Sequence, residues 1–294
     1  MYGNVIVGVD GQQGGRDAAA LAAAIANDGA LVTLVYVGVT APMPNHASNL
    51  DIELADDESA RALLEQELHL CSADARLSRV VATSIGAGLE QAAEHCGADL
   101  IVVGSSRRRG IARVVSGDDV RSVMHQTPCA VAVAPASYAR QPRPVTRVGV
   151  AFDGSPESEV ALAHAGLLAG ELHAELDLRH VVEPHYYTSG FGAMAVPVED
   201  PETALVAARQ RVGKADGLEV EQVYGLVHEE LVSFGDHLDL LVCGSRRNGP
   251  VKRLALGSTS DYLARHLSIP LLVAPTSDSP RVRRWRDQRR GAVA

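Results

Sequence analysis

The chain predicts an α/β fold built twice: two tandem domains, each a five-stranded parallel sheet with helices on both faces. Three observations lead there. Residues 104–135, GSSRRRGIARVVSGDDVRSVMHQTPCAVAVAP, align without gaps on residues 244–275, GSRRNGPVKRLALGSTSDYLARHLSIPLLVAP. The beginnings correspond too, with Val5-Ile6-Val7-Gly8-Val9-Asp10-Gly11 lying over Val148-Gly149-Val150-Ala151-Phe152-Asp153-Gly154. Correspondence at both ends means one fold repeated. Between those ends, short β-branched runs alternate with amphipathic helical stretches, as a doubly wound parallel sheet requires. Composition agrees: 46% of residues are hydrophobic but only 4% are aromatic, which suits small side chains packed between helix and sheet.

In the first copy a strand at Asn4–Val9 precedes an Ala-rich helix near Gly14–Asn27, followed by a strand at Ala30–Val37. A Pro-containing loop, Thr40–Leu50, leads to an acidic helix near Asp56–Cys71. A strand at Ser78–Thr83, a helix at Gly86–Cys96 and a strand at Asp99–Val103 come next. A glycine-containing loop, a helix near Asp118–His125 and a strand at Ala130–Ala134 complete the copy. The second copy places strands near Thr146–Phe152, Glu175–Val182, Glu219–Tyr224, Leu238–Cys243 and Pro270–Ala274. Its helices are expected near Pro156–Ala169, Pro201–Val212, Leu226–Gly235 and Ser258–His266. The stretch Glu183–Glu199 reads as a long loop, either plain or acting as a lid. The domain boundaries are then 1–138 and 146–278, with Pro142 and Pro144 marking a linker at 139–145. The tail 279–294 carries Arg281, Arg283, Arg284, Arg286, Arg289 and Arg290 against Asp287, and is expected to be basic and disordered.

A net charge of −9 argues against general nucleic-acid binding. Cys71, Cys96, Cys129 and Cys243 have no C-x-x-C spacing and read as small buried hydrophobes rather than metal ligands. The opening residues hold no basic leader pattern and no apolar run reaches transmembrane length, so a cytoplasmic protein is expected, with no membrane partner.

The chemistry concentrates where the apolar run Leu238–Cys243 meets Gly244. A glycine-containing loop between a strand and a helix start is suited to anions, because backbone N–H groups and the helix dipole face the ligand. Gly244 and Gly249 do not open a Walker A loop, since Pro250 and Val251 stand where Lys and Ser or Thr belong. No G-x-G-x-x-G opens the first strand–helix turn either. The spacing Gly244, Gly257, Ser258 resembles the universal stress protein family, whose nucleotide-binding members carry G-x2-G-x9-G-[ST] here. The second glycine of that pattern is Arg247 in this chain.

The resemblance implies Rossmann-like domains of the adenine nucleotide α-hydrolase-like type, and a stress-response regulator that binds ATP or a related adenine nucleotide in the second domain, with or without Mg2+. By resemblance Asp153 lies beside the adenosine portion, Val181 meets adenine through its backbone, and Ser155 belongs to the same nucleotide site. Gly244 and Gly257 let backbone approach phosphates, Ser258 and Ser260 give hydroxyls to phosphate or ribose with Thr259 between them, and Gly249 belongs to the same loop. The residues themselves leave alternatives open. Asp153 with Ser155 equally fits an N-cap pair, Ser258 fits a helix cap and Val181 fits core. Arg247 either replaces backbone cradling with a charge-assisted contact or fills the pocket. In the first copy Asp118, Asp119 and Val120 replace the hydroxyl run, and two carboxylates repel a polyphosphate unless an ion bridges them. That copy is expected to bind ATP weakly or not at all. No catalytic residue is assigned, and at most slow ATP hydrolysis is expected. Homodimerisation and an unnamed protein partner follow from the resemblance. The competing function is a nucleotide-independent interaction module, since both copies carry Arg, at positions 107 and 247, in place of the same glycine.

Overall fold

The computed structural model describes residues 2–39, 58–68, 75–105, 123, 127, 129–183, 185–189, 192–196, 218–245 and 258–275. Among these, the residues up to Pro144 form one compact unit and those from Val145 onward form a second.

In the first unit, β1 (Tyr2–Gly8) feeds α1 (Gln13–Ile25), which runs directly into β2 (Ala26–Val39). Helix α2 covers 58–68. Then come β3 (Arg76–Ala82), α3 (Ile85–Cys96), β4 (Leu100–Gly104) and β5 (Ala130–Ala134). The strands lie parallel in the order β5-β4-β1-β2-β3. The second unit repeats this with β6 (Arg147–Ala151), α4 (Pro156–Leu172), β7 (Glu175–Val182), β10 (Leu218–Tyr224), α5 (Val227–Gly235), β11 (Leu240–Gly244), α6 (Ser258–His266) and β12 (Leu271–Ala274). Its parallel order is β10-β7-β6-β11-β12. Each sheet therefore reverses its strand order beside its first strand, which opens a crevice at the strand carboxyl ends. No described helix is long and apolar enough to cross a membrane.

Two sequence expectations change. The helix expected to Asn27 stops at Ile25, and the strand expected from Ala30 starts at Ala26. Asn27-Asp28-Gly29 reads as a turn, but it is absorbed as a bulge: pairing jumps from Tyr2↔Ala26 to Asn4↔Leu31, with Gly29 at φ +75°. The stretch expected as a loop from Glu183 contains an antiparallel pair, β8 (His185–Ser189) and β9 (Gly192–Val196), in register from His185↔Val196 to Ser189↔Gly192. Tyr and Thr at 186–188 supply the strand preference that the two glycines obscured.

Both sheets fix their first strand with the same device, an aspartate at the foot of the fourth strand. The Asp99 carboxylate accepts from the backbone N–H groups of Gly3 and Asn4 at 3.0 and 3.2 Å. Asp239 accepts from the Thr146 N–H at 2.8 Å, the Thr146 hydroxyl at 2.7 Å and the Arg147 N–H at 2.9 Å. Backbone bonds from Asp99 N to Asn4 O and from Asp239 N to Arg147 O close each link. The segment expected as linker is likewise held. Asp17 of α1, 1% exposed, accepts from the Ser137 and Ala139 N–H groups at 2.7 and 2.8 Å and fixes the turn Tyr138–Arg140.

Helix α4 is buried on most of its surface, with Val160, Ala161, Leu162, Ala163, Ala165 and Leu168 in the core. His164 is sealed among them at 3% exposure, and burial pushes its imidazole down to about 4 from 6.5. The folded protein keeps this ring neutral where the unfolded chain binds a proton, so stability declines as pH falls from 6.5 toward 4. The loss should reach about 3 kcal/mol. Urea denaturation at neutral pH and again near the lower value should show that decline in the native chain, and a much shallower one in His164→Leu.

Candidate functional site

The crevice of the second unit begins where β6 turns away from the sheet. The Phe152 N–H donates to Arg179 O at 3.0 Å, just past the last paired residues of this strand and β7, Ala151 and Arg179. His180 lies buried with Nδ1 2.8 Å from Phe152 O. A carbonyl only accepts, so Nδ1 carries the hydrogen. Gly154 then takes φ +77°, a left-handed corner that side chains resist. Asp153 Oδ1 accepts from Ser155 N–H at 3.0 Å and from the Ser155 hydroxyl at 2.5 Å. The Ser155 oxygen in turn accepts from Ser158 N–H at 3.2 Å and caps α4. Partial burial raises the pKa of Asp153, but the Ser155 hydroxyl, backbone N–H groups and Ser158 outweigh it and hold the carboxyl below its ordinary value of 3.8. The N-cap alternative for Ser155 is thus realised, while Asp153 stays exposed at the rim as an anion.

Register assigns the side-chain faces. A Cβ built on Gly149 of β6 would meet Leu238 and Phe234 at 2.1 and 2.9 Å, so Gly149 faces α5. Leu241 pairs with Gly149 and shares that face, which turns Gly244 toward α4 and the following Ser245 toward α5 and its neighbour α6. Gly244 shows why it is glycine: a Cβ there would lie 2.7 Å from Glu157 O and 2.8 Å from Glu157 C, in the first turn of α4. Gly104 repeats this, with a Cβ position 2.0 Å from Gly14 O. The glycine at the end of the fourth strand is therefore required by helix packing.

Val181 sits in β7 on the α5 face, opposite Val223 of β10. Arg179, two residues earlier, turns its carbonyl toward β6. Alternate residues of a strand present their backbone groups to the same edge. The N–H and C=O of Val181 therefore point to the β6 side just beyond the place where β6 has left the sheet. Helix α6 starts at the same end of the strands, because it runs back toward the foot of β12. Ser258 opens it exposed, Thr259 is half-buried and Ser260 is buried. Among the described residues, Asp153, Ser155, Val181, Gly244, Ser258, Thr259 and Ser260 lie at the carboxyl end of this sheet. Arg247, Gly249 and Gly257 fall outside the described residues.

Some contributors were not singled out from sequence. Arg179 pairs with Glu221, donates to Glu230 O at 3.3 Å and lies 4.4 Å over the Phe234 ring, which fixes α5 against β7. Tyr262 of α6 stacks on His266 at 3.8 Å and meets His228 of α5 at 4.9 Å, joining the two helices.

The first unit builds its corner differently. Asp10 Oδ1 accepts from Gln12 N–H at 3.0 Å and Gly11 takes φ +75°, but Gln12 gives α1 no side-chain cap. Leu63 of α2 lies 2.9 Å from a Cβ position on Gly11, and Arg16 pairs with buried Glu67 at 3.3 Å. The residues expected to repel a phosphate there, Asp118 and Asp119, and the loop arginines lie outside the described residues.

Ser155→Ala tests the corner of the second unit. It should cost about 1 kcal/mol as a lost N-cap. It should also move the Asp153 titration upward, because burial then acts with less opposition. A lowered pKa stabilises the fold above 3.8 and ceases to do so as pH falls through the folded value. The stability gap between the native chain and this variant should therefore narrow in acid. Carboxyl NMR titration with denaturation curves at several pH values checks both.

A model of the universal stress protein family matches residues 1–135 and again 144–275. A universal stress protein of Mycobacterium tuberculosis is 26% identical over 212 residues, spanning 65% of this chain and 69% of the relative. A second from that species is 30% identical over 193 residues, covering 61% and 63%. Among solved structures, a universal stress protein from Archaeoglobus fulgidus shares the fold at a TM-score of 0.68 and 17% identity, over 94% of this chain and 99% of that one. With its family pattern matched in each unit, the chain belongs to the universal stress protein family, in tandem form.

Proposed function

We propose that this chain is a stress-response regulatory protein whose second unit binds ATP or a related adenine nucleotide in the crevice beside β6. The observation that carries the reading is the convergence there of a free strand edge with a helix start. Adenine presents a donor and an acceptor side by side, and the Val181 N–H and C=O offer the complementary pair at the edge β6 has vacated. The first turn of α6 faces the same crevice with the Ser258 and Thr259 hydroxyls and the positive end of the helix dipole, which favour phosphate. The exposed Asp153 carboxylate suits ribose hydroxyls better than phosphate. Ser260 is buried, so its part in this reading is to hold the turn. Arg247, Gly249 and Gly257 belong to the loop that carries the phosphates, with Mg2+ as their counter-ion when it is present. ATP turnover is at most slow. Dimerisation and a protein partner that senses the loaded state belong to the same reading.

The second reading, a nucleotide-independent interaction module, is favoured by one observation. Packing against Glu157 accounts for Gly244 without any ligand.

The full chain, purified without added nucleotide and then denatured, should release adenine nucleotide close to one per chain. Gly257→Asp, which puts a carboxylate at the phosphate position, should release less than about a tenth of that. Nucleotide in neither sample favours the interaction module. Equal amounts in both move the site elsewhere.

A further inference from the structure

Among the described residues the large apolar side chains left exposed are Leu31, Val39, Leu77, Val81, Tyr224 and Leu226. All lie at two places. Four belong to β2 and β3, the outer strands of the first unit, and two stand at and just beyond the end of β10, the outermost strand of the second. In the repeat β3 and β10 are the same element, each lying beyond the second strand of its sheet, yet their charges are opposite. The β3 sequence, RLSRVVA, carries Arg76 and Arg79 and no acid, whereas the β10 sequence, LEVEQVY, carries two glutamates and no base. Among the described residues no strand pairs with the outer edge of either.

Backbone direction fixes how these two edges fit each other. The Val9 N–H donates to Val35 O, so Val35 turns its backbone groups to β1 and its neighbours Leu34 and Tyr36 turn theirs to β3. In a parallel pair those bonds are returned by the residues flanking each partner, here Ser78 and Val80 on either side of Arg79. Leu77, Arg79 and Val81 therefore present N–H and C=O outward. In β10 the Gly225 N–H donates to Val182 O, so Glu221 and Val223 face β7, and Val220, Gln222 and Tyr224 present theirs outward. Two such edges mesh as parallel strands when Arg79 lies between Val220 and Gln222, which sets it beside Glu221.

We propose that β3 of one copy of this chain adds as a parallel strand to β10 of a second copy, joining the chains head to tail. In that register Arg79 stands beside Glu221 of the second copy and Val81 beside its Val223, both pairs on one face of the joined sheet. Glu221 pairs with Arg179 of its own chain but is half-exposed, and a carboxylate has acceptor sites enough for two arginines. Natural edge strands are guarded by charge against pairing. Here each edge carries a single sign, so β3 against β3 and β10 against β10 are repelled, while β3 against β10 is attracted. The contact uses a different patch on each copy, so it repeats until a ring closes. It is independent of the nucleotide reading, which concerns the β6 side of β7.

The test is sedimentation of the full-length chain and of Arg79→Glu, Glu221→Arg and Val81→Glu, each melted beforehand to show that it is folded. The native mass should rise above that of one chain between about 1 and 100 μM. Arg79→Glu and Glu221→Arg should each associate at least about tenfold more weakly. Their equimolar mixture should regain the native association, because each variant then offers the edge that the other needs. Glu221→Arg sets a second arginine beside Arg179; should it melt early, Val81→Glu decides in its place, and should weaken association as much while keeping the native Tm. A native chain that stays single up to about 100 μM overturns the proposal. Association that persists unchanged in Arg79→Glu and Val81→Glu overturns it too, since another surface then joins the copies. So does a mixture of folded charge-reversed chains that associates no better than either alone.

Discussion

The helix that follows the first strand of each unit presses its opening turn onto the last residue of the fourth strand. In the second unit the contact is Glu157 against Gly244, and in the first it is Gly14 against Gly104. The separations leave no room for a Cβ, so both partners are fixed as backbone on backbone. This constraint sets the crevice. It draws the Asp153–Ser155 corner, the start of α4 and the end of β11 together, and alternation along β11 then sends the next side chain, Ser245, to the other face. Asp239 anchors the opposite end of the same strand pair, so register cannot slip and the carboxyl ends stay aligned.

The two units share this frame and differ in what they place on it. Ser155 caps α4 and holds Asp153 as an anion, whereas Gln12 gives α1 no cap. In the first unit the corner is instead buttressed by Leu63 and the Arg16–Glu67 pair, and Asp17 ties α1 to the turn at Tyr138–Arg140. Val160 stands in the second unit at the place Asp17 holds in the first. Side chains of the first unit are thus engaged in holding its own chain. Those of the second leave a strand edge at Val181.

The doubled fold was legible because a gapless repeat and strand–helix alternation depend on burial, which leaves a periodic trace. Strands such as Glu175–Val182 and Ala130–Ala134, and the helix Ser258–His266, fall where apolar pattern and glycine punctuation place them. The bulge at Asn27–Gly29 was hidden because turn residues look the same whether they end a strand or are accommodated within one. The hairpin of β8 and β9 was hidden by its glycines. Gly244 was legible as a special position, but its reason was not. A motif records that a side chain is excluded, while the excluding partner, Glu157, is far away in sequence. The Asp99 and Asp239 anchors stand in register in the repeat and show that a repeated polar residue at a strand foot deserves a structural reading.

Hydrogen exchange of the full chain with and without ATP addresses the central claim most directly. Ligand in the second unit should slow exchange in peptides spanning Asp153–Ser158, Val181–Glu183 and Gly244–Ser260, and leave those spanning Asp10–Arg16 and Gly104–Asp119 unchanged. Protection confined to the first unit, or none in either at saturating ATP, would contradict the account.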